Sequence, residues 1–122
     1  MRYPIRFDTL YRILSVSLLI APEASYVEID GPKVTVRMSW AFRSRFDRGT
    51  LLSVERAKDV LLTRGVHGFA GRWLVNGSGQ GIVALKFEPV QRAYVLGFPV
   101  QLKQLLVSVE DVDGVISALR SP

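Results

Sequence analysis

The chain of 122 residues has the size of one compact domain. Its 48% hydrophobic and 22% charged residues are ordinary globular usage, which excludes a disordered tail, a collagen-like repeat or a coiled coil. With no cysteine and one histidine, His67, it has no disulfide framework, thiolate metal site, cysteine nucleophile or multi-histidine centre, and its net charge of +5 favours anionic partners.

The most apolar run, 13–21, follows Arg2, Arg6 and Arg12 and superficially resembles a signal peptide. Asp8 interrupts the basic region, Ala21-Pro22-Glu23-Ala24-Ser25 offers no small-x-small cleavage site, and the run falls short of the roughly 20 residues a spanning helix needs. The expectation is a cytoplasmic protein without a membrane span, which the lack of cysteine fits. Asp8 or Thr9 as a cap, Pro22 as a stop and Leu10, Ile13, Leu14 and Leu18 at helical spacing predict a short helix over 9–20, with a buried strand as the competing reading. Because Val16, Leu19 and Ile20 make its other side apolar as well, such a helix calls for cover from its own domain or a partner.

From Ser25 the hydrophobic period changes to two. Val27 and Ile29 alternate with Tyr26, Glu28 and Asp30, Asp30-Gly31 forms a turn, and Val34, Val36, Met38 and Trp40 face the core opposite Lys33, Thr35, Arg37 and Ser39. At Ala41 the phase shifts, so the ribbon is expected to bend or bulge before Phe42, Ser44 and Phe46 alternate with Arg43 and Arg45. Asp47-Arg48-Gly49 closes that run, and Leu51 to Arg56 reads as another strand. Residues 63–71, with three glycines around His67, read as a loop.

Arg72 to Asn76 and Gly81 to Phe87 read as a second hairpin across residues 77–80, with Val83, Leu85 and Phe87 inward and Pro89 ending it. Arg92 to Leu96 and Val100 to Val109 supply further strand around a break at Gly97 and Pro99. The last element is a helix over 110–120. Ser108 and Asp111 resemble a capping box, and Val112, Val115, Ile116 and Leu119 form one apolar stripe. The whole reads as a single domain: an N-terminal helical extension over 1–22, a small antiparallel β-barrel or sandwich of about six or seven strands over 25–109, and the closing helix.

The ending Leu105-Leu106-Val107-Ser108-Val109-Glu110-Asp111-Val112-Asp113-Gly114-Val115-Ile116-Ser117-Ala118-Leu119 resembles that of bacterial pleckstrin-homology-like domains, in which a last strand leads through Ser and acidic residues into a helix. The stretch Gly65–Gly79, with Val66-His67-Gly68 and Trp73-Leu74-Val75-Asn76, is similar to a feature of small uncharacterised actinobacterial proteins. The resemblance implies a pleckstrin-like fold and a non-catalytic binding or interaction module.

The candidate ligand site is a barrel mouth formed by Arg43, Arg45, Arg64, His67, Arg72, Trp73 and Asn76, where guanidinium forks hold a carboxylate or phosphate and Trp73 supplies an apolar wall. Its competitor is a solvated strand face with salt bridges to Asp47, Glu55 and Asp59. Gly77-x-Gly79-x-Gly81 is followed by a strand and not by a helix, so it reads as a turn and no cofactor is expected. No catalytic residue and no metal ligand is assigned, since a hydrolase built on His67 would need an orienting carboxylate and an activated serine. The expected partner is a protein or an anionic small ligand, with a homo-oligomer through the 9–20 helix as the alternative. Trp40, Trp73, Tyr94 and Phe98 could stack nucleic-acid bases, but that reading is disfavoured because the alternation places Trp40 in the core and no recognised module is present.

Overall fold

The computed structural model describes residues 1–8, 21–58 and 65–120, with the backbone alone at Gly65, His67 and Phe69. It is mainly β, a curled half-barrel sheet with one C-terminal helix. The described strands are β1 (Arg2–Pro4), β2 (Ser25–Asp30), β3 (Lys33–Met38), β4 (Phe42–Asp47), β5 (Leu51–Arg56), β6 (Gly65–Phe69), β7 (Arg72–Asn76), β8 (Ile82–Val95) and β9 (Phe98–Ser108), followed by α1 (Val112–Arg120). That is nine strands where the sequence predicts six or seven. Their order is β1-β2-β3-β4-β8-β9-β7-β6, with β5 also paired to β8.

The ribbon β2–β3–β4 follows from strict alternation. Val27, Val34, Val36, Met38, Phe42 and Phe46 are buried, while Arg37, Arg43 and Arg45 are exposed. Between β3 and β4 the chain makes a tight turn and not the expected bend: Ser39 takes φ +47 and the Ala41 N–H donates to the Met38 carbonyl at 3.0 Å. The turn throws Trp40 out of the phase of Val36 and Met38, so the predicted core tryptophan is 54% exposed.

β8 is long enough to serve two neighbours on one edge. Val83–Phe87 pairs with β5, Ala93–Val95 pairs with β4, and β9 runs along the other side. The change of neighbour coincides with a register shift between Lys86 and Gln91. Pro89 therefore does not end the strand; it lies in this irregular stretch, where no ladder hydrogen bond is required of it. The turn at Leu96-Gly97, with φ +52 and +85, joins β8 to β9 as a hairpin.

Two other expectations are corrected. Residues 65–69 of the predicted 63–71 loop are a strand, paired with β7 through Gly65↔Asn76 to Phe69↔Arg72. The predicted hairpin across 77–80 does not form, because β7 pairs in parallel with β9, which lies between it and β8. The connection crosses the end of β9 and is tied there: the Gly77 N–H donates to Ser108 Oγ (3.0 Å), Ser108 Oγ donates to the Arg6 carbonyl (2.8 Å), and the Val109 N–H donates to the Gly81 carbonyl (2.8 Å). A Cβ on Gly77 would lie 2.6 Å from the Phe7 ring and 2.8 Å from the Arg6 carbonyl, so this close approach requires glycine.

Of the predicted N-terminal extension, residues 1–8 join the sheet. β1 pairs with β2, Ile5 bridges Val109 and Phe7 bridges Gly77, with Ile5 and Phe7 buried. The predicted 9–20 helix lies outside the described residues.

The core joins the inner faces of both halves, with Phe46 and Phe87 packed edge to face at 4.7 Å. Val112, Val115 and Leu119 bury the predicted stripe of α1, which packs mainly on β5. Asp111 caps it, its Oδ1 accepting the Gly114 N–H at 3.0 Å. Ser108 takes no part in that cap, its hydroxyl being engaged at the β7–β8 crossing. Arg120 at the other end donates to the Val54 carbonyl at 2.6 Å.

Candidate functional site

On the outer face of β2–β3–β4–β8 the register gathers side chains far apart in sequence. Tyr26, Arg37, Arg43 and Tyr94 occupy one row across four strands; Glu28, Thr35 and Arg45 form the next, with Arg2 opposite Glu28 at the edge. Arg92 follows two residues before Tyr94 on the same face. Tyr26, Glu28, Thr35, Arg43, Arg45, Arg92 and Tyr94 line a groove of about 530 Å³.

Buried Ser44 fixes this geometry from below by donating its Oγ–H to the Arg92 carbonyl at 2.9 Å, which ties β4 to β8 and sets Arg43 and Arg45 beside Arg92. The Arg43 guanidinium lies 4.9 Å from the centre of the Tyr94 ring. At the other wall, Arg2 lies 4.2 Å over Tyr26 and donates Nε–H to Glu28 at 2.5 Å. That hydrogen bond holds the Glu28 carboxyl below its ordinary range, with the charges of Arg2, the N-terminus and Arg45 adding to the effect, and it raises the Arg2 pKa in turn.

The one carboxylate of the groove is thus already engaged. Arg43, Arg45 and Arg92 form no ion pair with any described residue. Their forks supply several N–H donors, and stacking on Tyr94 orients one of them.

The structure brings together only part of the predicted mouth. Arg43 and Arg45 share the groove, whereas Arg72, Trp73 and Asn76 stand on β7, with β8 and β9 intervening in the sheet, and do not line it. Arg72 is exposed. Trp73 is half-buried over Gly68, where a Cβ would overlap its ring, and its Nε1–H donates to the Gln101 carbonyl at 3.2 Å. Asn76 is buried and its Nδ2 donates to the Ser78 carbonyl at 2.9 Å, shaping the crossing. His67 is on β6 opposite Leu74 and not in a loop, and Arg64 lies outside the described residues.

Sequence reasoning did not assign Tyr26, Arg37, Arg92 and Tyr94 to the site. The signal available was the alternation of Arg92 and Tyr94 about buried Ala93, but what makes them neighbours of Arg43 is the β4–β8 pairing.

Compared with models of known protein families, with curated proteins and with solved structures, the chain matches none. Among the described residues, no helix is long and apolar enough to cross a membrane, and no three acidic or histidine side chains group to hold a metal ion. The groove's chemistry is that of a cationic, donor-rich surface.

Proposed function

We propose that the chain is a non-catalytic binding module whose outer-sheet groove takes an anionic group, phosphate or carboxylate, between Arg43, Arg45 and Arg92. The observation that carries this reading is the convergence in one groove of three guanidiniums that form no ion pair with any described residue, one of them stacked on Tyr94. Guanidinium stays protonated and donates in a planar fork, which suits holding an oxyanion and not shuttling protons. The half-barrel with its C-terminal helix accommodates the pleckstrin-homology-like reading, which we retain as the proposed fold family alongside a cytoplasmic setting.

Inositol hexakisphosphate is a suitable soluble probe, titrated calorimetrically. Replacing Arg43 and Arg45 together by Ala should weaken binding at least about tenfold, as expected for lost charge-assisted hydrogen bonds. Because both side chains are exposed, the melting temperature should hardly change. Unchanged affinity in the double variant would overturn the site.

A further inference from the structure

On the ribbon β2–β3–β4, charges that face each other across the strands are matched at its borders. Arg2 stands opposite Glu28 and is bonded to it, and Lys33 stands opposite Asp47 with its Nζ 2.8 Å from the carboxylate. Opposite charges in facing positions stabilise a sheet, and like charges there destabilise it.

The groove between those borders breaks this rule twice. Arg37 pairs with Arg43, and one step beyond Ser44↔Ala93 the register brings Arg45 across from Arg92. The first pair is splayed: the Arg37 Nε–H donates to the Ser39 carbonyl at 3.1 Å, while the Arg43 guanidinium lies over Tyr94 on the opposite side. The carboxylate in these two rows is Glu28, and it is hydrogen-bonded to Arg2. Arg45 supplies only the last and smallest of the effects that lower the Glu28 carboxyl. A merely solvated strand face gives no reason for such a mismatch, since the same face matches its charges one row further along, at Lys33 and Asp47. Residues that lower stability in this way are kept where binding needs them.

The arrangement also sets the shape of the ion. Arg43 and Arg45 are two residues apart on β4, roughly 6.8 Å along the strand, and Arg92 lies beside them on β8. Glu28, two strands away on β2 in the row of Arg45, keeps further negative charge off that side. The cationic strip is therefore long along β4 and narrow across the sheet. A single phosphate or carboxylate leaves part of it unneutralised, and a ring bearing phosphates in every direction meets Glu28.

We propose that the ligand of the groove is a diphosphate group, free or at the end of a larger molecule, with one phosphate at Arg43 and the other between Arg45 and Arg92. The proposal rests on the anion-site reading for its location and goes beyond it in the number and spacing of the ligand's charges.

The test titrates inorganic pyrophosphate and orthophosphate calorimetrically, at equal ionic strength and without divalent cations, beside the inositol hexakisphosphate titration. The wild type should bind pyrophosphate at least about tenfold more tightly than orthophosphate, the gain expected from one further set of charge-assisted hydrogen bonds. Arg45→Gln should bring the two affinities together, because one end of the strip is gone. In the ligand-free protein the same substitution removes the like charge facing Arg92 and should raise the melting temperature by roughly 1–2 °C. Lys33→Gln, which removes a matched partner, should leave the melting temperature unchanged or lower it.

An Arg45→Gln variant that melts at or below the wild-type temperature overturns the proposal, as does one that keeps the preference for pyrophosphate. Pyrophosphate bound no more tightly than orthophosphate by the wild type overturns it too. If inositol hexakisphosphate then still binds through Arg43 and Arg45, the anion site stands and only the diphosphate reading falls; if neither binds, both fall.

Discussion

The ribbon β2–β3–β4 and the crossing between β7 and β8 use similar strand-forming residues but are specified differently. In the ribbon each strand pairs with its sequence neighbour, and alternation alone assigns Val34, Val36, Phe42 and Phe46 inward and Arg37, Arg43 and Arg45 outward. At the crossing, β7 leaves its sequence neighbour β8 for the more distant β9, and a hydroxyl from Ser108 joins the chain at Gly77 to Arg6. Hairpin pairing is read locally. A strand interposed later in the sequence, such as β9, depends on contacts that exist only once the sheet has closed.

The largest effect should come from the ribbon. Phe42→Ala empties a fully buried site where β3, β4 and β8 meet, and should cost about 3–5 kcal/mol in urea unfolding. A loss under ~1 kcal/mol would mean that the ribbon is not anchored to the core as described.

At the crossing, Ser108→Ala leaves the Gly77 N–H without its acceptor and should cost about 1–3 kcal/mol. It should also speed amide exchange at Arg6 and Gly77 more than within β3; uniform exchange would show that the crossing is not a separately held region. Asp111→Ala removes the cap of α1 and should cost about 1 kcal/mol, with exchange rising first at Gly114. Loss of protection spread evenly along the helix would argue against that cap.

The smallest effect concerns the edge of the ribbon. The Glu28 carboxyl is held below its ordinary range by Arg2, so its contribution is complete above the ordinary glutamate pKa and is lost as pH falls through the depressed native value. Because the pair is at the surface, Glu28→Gln should leave stability at neutral pH almost unchanged and should only flatten the acid limb of the stability curve. A steeper acid limb in the variant would contradict the direction of this shift.

The legible parts of the fold are those in which one residue's environment follows from its near neighbours. The Asp30-Gly31 hairpin, the inward Val83, Leu85 and Phe87 and the stripe of α1 agree with the structure for that reason. The Ser39 turn was hidden because a serine in left-handed conformation interrupts alternation without a glycine or proline to mark it. Glycines 65, 68 and 71 suggested a loop, yet two of them lie in β6, where a side chain at Gly68 would collide with Trp73. Of the predicted site, Arg43 and Arg45 were legible as outward cations, but their neighbours were not.

The sequence by itself determined the mainly β class, the two faces of its ribbon, the closing amphipathic helix and a cationic surplus. Periodicity and composition are local quantities, and they suffice for these. Only the tertiary structure decided that β9 separates β7 from β8, that Arg92 and Tyr94 join Arg43 in one groove, and that Trp40 is turned out to solvent. Those outcomes depend on which strands share an edge, and that is settled by packing β8 and β9 against the rest of the sheet, not by the pattern along any one segment.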